Sequence, residues 1–79
     1  MAEVIFTKHA MDMLNERKFN EEQIISIIEN PDWKEEKEDD VWHAFKKVGK
    51  KVLRVVVKGK EESYTVITMF YDKRLRSRE

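Results

Sequence analysis

At 79 residues the chain has room for one small domain spanning 1–79, since a second core would need roughly another 50–100 residues. Apolar and charged residues each contribute 41%, and the 16 basic side chains cancel the 16 acidic ones, so net charge supplies no long-range pull toward nucleic acid or an anionic membrane. The absence of cysteine excludes disulfides and thiolate chemistry, and no apolar run approaches the ~18–20 residues that span a bilayer. With no signal-peptide profile either, the expectation is a soluble, cytoplasmic domain with no membrane partner.

Thr7 follows the apolar stretch Val4-Ile5-Phe6 and is suited to cap a helix. Ala10, Met13, Leu14 and Arg17 recur at three- and four-residue spacing, which predicts a helix from about Lys8 to Lys18. Asn20 caps a second helix, and Gln23 stands where it can close a capping box. Glu21 and Glu22 suit that helix's positive end, while Ile24, Ile25, Ile27 and Ile28 give it a broad apolar stripe. Asn30-Pro31 ends it. Pro31 to Asp40 reads as a charged connector anchored only by Trp33. Three strands are predicted next: Val41 to Lys47, Val52 to Lys58 and Ser63 to Tyr71. Turn-length links around Gly49 and Gly59 join them into an antiparallel meander. Residues 72–79 form a basic tail expected to be flexible. The predicted fold is α+β, two N-terminal helices packed on a three-stranded antiparallel meander.

Alternation assigns faces within the meander. Leu53, Val55 and Val57 should share the helix side with Tyr64, Val66, Thr68 and Phe70. Val52, Arg54, Val56, Thr65, Ile67, Met69 and Tyr71 should occupy the other side. The first hairpin is less determined, because a one-residue slip moves His43 from beside Arg54 to beneath the helices.

The run Phe6-Thr-Lys-His-Ala-Met-Asp-Met-Leu-Asn-Glu-Arg17, then Phe19 to Ile25, then Ile28-Glu-Asn-Pro, resembles a small bacterial and archaeal family of unknown function. Its pattern is His-Ala, Arg, an Ile or Phe with a Val or Ile five positions on, and Asn-Pro, and Val52 to Val57 and Tyr64 to Tyr71 also match. Met13-Leu14 stands where the family often has Arg-Met, which leaves Arg17 as the arginine signal. The family is similar to the BrnT and RelE/ParE toxins. That likeness implies the helix-pair-on-sheet fold, metal-independent cleavage of RNA, and an antitoxin protein as partner. The chain departs from such toxins in its zero net charge and in offering no tail tyrosine beyond Tyr71.

Such cleavage needs a base for the 2′-hydroxyl proton and cations for the phosphorane. His43, Arg54 and Tyr71 are the catalytic candidates, with Lys73 beside them if His43 faces the Arg54 side. The plainer alternatives are a backbone-bonded histidine under the helices and an arginine paired with an acidic residue across strands. His9 and Arg17 lie on one stripe of the first helix and could hold a phosphate, or merely form a cap contact and a salt bridge. Lys46, Lys47, Lys50 and Lys51 surround one hairpin and, with Lys73 and the tail, suit phosphate contacts or a solvated ionic surface. Two lone histidines among scattered carboxylates make no zinc site, and no cofactor motif is present, so neither metal nor cofactor is expected. Trp33 and Trp42 read as packing anchors. Two functions follow as expectations: a toxin-like ribonuclease acting on RNA, or a non-catalytic protein-interaction module of the same fold. A homodimer joined at a sheet edge is compatible with either.

Overall fold

The computed structural model describes residues 3–59 and 63–76. Its elements are β1 (Glu3–Phe6), α1 (Lys8–Arg17), α2 (Glu21–Glu29), β2 (Trp33–Glu36), β3 (Val41–Val48), β4 (Lys51–Lys58) and β5 (Ser63–Arg76). The strands form one sheet in the order β1-β5-β4-β3-β2, with β1 parallel to β5 and the other neighbours antiparallel. The predicted three-stranded meander is therefore only the middle of a five-stranded mixed sheet, and the expected architecture is corrected accordingly. Both added strands are four-residue edges. β1 pairs with a partner some 60 positions away, which no local pattern announces. β2 carries Lys34, Glu35 and Glu36, the charged composition that suits an edge and hides a strand from a propensity reading. β5 continues to Arg76, so 72–76 lie in the strand. The last three residues of the expected tail are outside the described residues. No helix among the described residues is long and apolar enough to cross a membrane.

The helix boundaries follow from side-chain caps. Asn20 accepts from the Gln23 N–H at 2.8 Å while the Gln23 side chain accepts from the Asn20 N–H at 3.0 Å, closing the capping box. Lys18 ends α1 in the left-handed region at φ 60°. Ala10, Leu14, Ile24, Ile27 and Ile28 pack on Ala44, Leu53, Val55, Val57, Val66 and Met69 to form the main core. Gly59 closes the far end of β4 at φ +110°, where an added Cβ would lie 2.3 Å from the Ser63 carbonyl oxygen, so only glycine fits. Its own carbonyl accepts from the Trp42 indole at 2.9 Å.

One irregularity reorders the faces of β5. Val57 pairs with Val66 but Val56 pairs with Thr68, so Ile67 is an extra residue. Beyond such a bulge every side chain changes sides. Met69 and Tyr71, not Thr68 and Phe70, therefore join Val66 on the helix side.

Thr7 ties this bulge to the helix pair. Its hydroxyl accepts from the Ala10 N–H at 3.0 Å and donates to the Ile67 carbonyl at 3.0 Å, while its own N–H donates to the Val66 carbonyl at 3.1 Å. Thr7→Ala should destabilise the protein by about 1–2 kcal/mol, the upper part of the range for lost N-caps, because the Ile67 carbonyl also loses its donor. Thr7→Ser should recover most of that in urea unfolding. A recovery no better than alanine's would mean the methyl group, not the hydroxyl, fixes this corner.

Candidate functional site

The register of the central hairpin decides where His43 points. Phe45 pairs with Arg54 and His43 with Val56, while Ala44 and Val55 face the helices. His43 and Arg54 accordingly share the helix-free face of the sheet. Phe45 lies between them in the pattern and is fully buried, at 0% exposure, although no helix covers it. Trp33 of β2 stacks on its ring at 4.9 Å with only 5° between planes. The Arg54 guanidinium lies 4.8 Å from the Phe45 centroid and 5.9 Å from that of Phe70. These aromatic faces are attractive to a cation and shield it from water.

Arg54 is also paired. Its Nη2 donates to Asp72 Oδ2 at 2.7 Å, with the arginine side chain 17% exposed and the aspartate 4%. The plainer reading of Arg54, a cross-strand partner for an acidic residue, thus describes its nearest charged contact. Arg54 Nε and His43 Nδ1 are buried without a hydrogen-bond partner among the described residues. Burial holds the His43 imidazole below its ordinary value of 6.5, and the Arg54 and Lys37 cations push the same way against Glu35. The ring is therefore neutral at pH 7 and available as a proton acceptor.

The other predicted residues do not assemble here. Tyr71 pairs with Leu53 on the helix side, its ring 5.7 Å from Phe19 and beneath the Lys51 ammonium at 5.0 Å. The bulge at Ile67 put it there. His9 and Arg17 are exposed on α1, which packs against the opposite face of the sheet from His43. Lys46 pairs with Leu53 across strands and reaches Asp32 at 3.5 Å. Asp32 also accepts the Lys47 N–H at 2.8 Å, the main reason its carboxyl sits below 3.8, with the Lys46 cation assisting and burial opposing. Lys47 is exposed and follows His43 and Phe45 on the helix-free side of β3, and Lys73 is exposed just past Asp72.

Asp72, Phe45 and Trp33 complete this face, and none was singled out for it from the sequence. Asp72 carried a signal: an arginine inside an apolar strand calls for a carboxylate, and Asp72 ends the apolar run of the next strand. A separate hollow of about 170 Å³ lies between Glu36, Lys37, Asp40, Val41, Trp42 and Gly59, and none of the predicted site residues lines it. Among the described residues no group of three or more His, Asp or Glu is placed to hold a metal ion.

Chemically, the face offers a neutral imidazole beside a guanidinium whose charge is already matched by a carboxylate. No curated protein and no solved structure gives a significant match to the chain. Neither comparison supports the expected likeness to BrnT and RelE/ParE toxins. Residues 6–71, from the end of β1 to Tyr71 in β5, do match the family model described as "Domain of unknown function (DUF4258)", and the chain belongs to that family.

Proposed function

We propose that the helix-free face is the site of a metal-independent ribonuclease centred on His43. The observation that carries this reading is the placement of a neutral, half-buried imidazole on the same open face as Arg54. The imidazole accepts the 2′-hydroxyl proton, the 2′-oxygen attacks phosphorus, and the bond to the 5′-oxygen breaks to leave a 2′,3′-cyclic phosphate. The departing oxygen takes its proton from water. Arg54 lends positive potential near the phosphorane, and Lys47 offers a phosphate contact along the same strand. Tyr71 has no part in this scheme, which replaces the original three-residue set.

The test is incubation of the purified protein with mixed-sequence RNA in excess chelator. Fragments ending in a cyclic phosphate are expected. They should fall by roughly 10²–10⁴ in rate with His43→Ala and persist with Tyr71→Phe. Since the neutral ring is the active form and its folded pKa is lowered, kcat/KM should rise with pH through a midpoint below 6.5 and then level off. Equal cleavage by wild type and His43→Ala would exclude His43 as the base.

A second reading, a protein-interaction module, is favoured by one observation: the Arg54 charge is already matched by Asp72, on a face where Ile5 is 48% exposed. Intact RNA in every tube, with and without ribosomes, would select it.

A further inference from the structure

The outer edge of β2 has one register in which opposite charges fall on its hydrogen-bonded pairs, and from this we infer that two copies of the chain pair there to continue the sheet across a two-fold axis. β2 is the terminal strand of the sheet. The Lys37 N–H donates to the Val41 carbonyl at 2.8 Å, and Lys37 continues the register that pairs Glu35 with His43. In an antiparallel ladder hydrogen-bonded pairs alternate with non-bonded ones, so the backbone of Glu35 and Lys37 turns toward β3. The backbone groups of Lys34 and Glu36 turn outward, where the described residues supply no further strand.

A second copy of β2 laid antiparallel must pair residues of the same face through these outward groups. That leaves three short registers. Centring the axis on Lys34 opposes two lysines at a hydrogen-bonded pair, and centring it on Glu36 opposes two glutamates at one, with Glu35 against Lys37 only at the non-bonded pairs on either side. Like charges directly opposite destabilise a pair. Centring it on Glu35 sets Lys34 against Glu36 of the second copy, and Glu36 against its Lys34. Two hydrogen-bonded pairs then coincide with two opposite-charge pairs. On the helix-free face the same register brings Trp33 opposite Lys37 of the second copy, a geometry that suits a cation over an aromatic ring. Glu35 meets its own counterpart at the axis, but each already bonds its own Lys37 at 3.1 Å, which offsets the repulsion.

Lysine on an edge strand ordinarily discourages pairing. Here its spacing two residues from a glutamate, both on outward-bonding positions, turns that charge into register selection. β1, the opposite edge, has one charged residue among four and no comparable pattern. The interface is short, so the dimer belongs to the weak, salt-sensitive class.

Sedimentation equilibrium of the full chain at low salt is the test. Wild type should dimerise at millimolar concentration and dissociate as salt is added. Glu36→Lys and Lys34→Glu should each weaken the dimer by roughly tenfold or more, and the double exchange Lys34→Glu with Glu36→Lys should restore it. Lys34→Pro removes an outward N–H and the Lys34 ammonium's place 5.5 Å from the Trp42 ring, but no hydrogen bond to β3, so it should abolish dimerisation while the chain still unfolds cooperatively. A wild type that stays monomeric at these concentrations, or a Glu36→Lys variant that dimerises as well as wild type, would overturn the proposal. RNA cleavage is read in a separate assay, so neither result depends on the other.

Discussion

Asp72→Ala is expected to remove about 3–5 kcal/mol of stability, a large share of what a chain of this size has. The carboxylate is almost wholly buried and stands 2.7 Å from the guanidinium. Removing it leaves Arg54 charged, mostly buried, and wedged between Phe45 and Phe70 without that carboxylate. An uncompensated charge of this kind costs far more than the pair contributes, because the pair had already met the cost of leaving water. Total stability at roughly 0.05–0.15 kcal/mol per residue is of similar size. Replacing both partners, as in Arg54→Met with Asp72→Leu, should cost less than either single replacement, since neither charge of this pair is left buried without the other. Urea unfolding of the two single variants and the double variant measures this directly. Single variants that each lose less than about 1 kcal/mol would show the pair to be screened like a surface salt bridge. The expected result also bears on function. Loss of RNA cleavage in Arg54→Ala would be confounded by unfolding, which is why His43 is the residue on which the ribonuclease proposal is tested.

What the sequence revealed was whatever depends on neighbours a few residues apart. Thr7, and Asn20 with Gln23, announce the two helices because caps act over three residues. The β-branched run of β4 announces itself by composition. What it hid depends on pairings made at a distance. β1 becomes a strand only because β5 lies beside it, and β2 because Trp33 finds Phe45. The candidate site shows the same division. His43 and Arg54 were singled out as residue types, but their common face required the register of β3 on β4. Tyr71 was lost to a single extra residue, Ile67, which alternation cannot register. Asp72 was passed over because the apolar run ends before it, although the strand does not.

Phe45→Ala should be among the most damaging single substitutions, at about 3–5 kcal/mol, comparable to truncating Ile24 in the main core. An open sheet face leads one to expect a mild effect there, yet Phe45 has no exposed surface. Its cover is unusual: one side is an indole stacked in parallel and the other a guanidinium, neither from a helix. Alanine would leave a void that neither flat group can fill without giving up its contact. The damage should spread in a defined direction. Trp33 is the one apolar residue of β2, so without Phe45 that strand keeps only its backbone ladder and exposed charges. Amide exchange in β2 should then rise ahead of β4 and β5, and Trp33 fluorescence in a Trp42→Phe background should shift to the red. Phe45→Leu, which keeps most of the volume, should show the same pattern at smaller amplitude. A loss below about 1 kcal/mol for Phe45→Ala, the range of ordinary surface changes, would mean that the face has no second core. The charged edge strand would then have to be held by its backbone hydrogen bonds and by Asp32, which accepts the Lys47 N–H, with the indole contributing little.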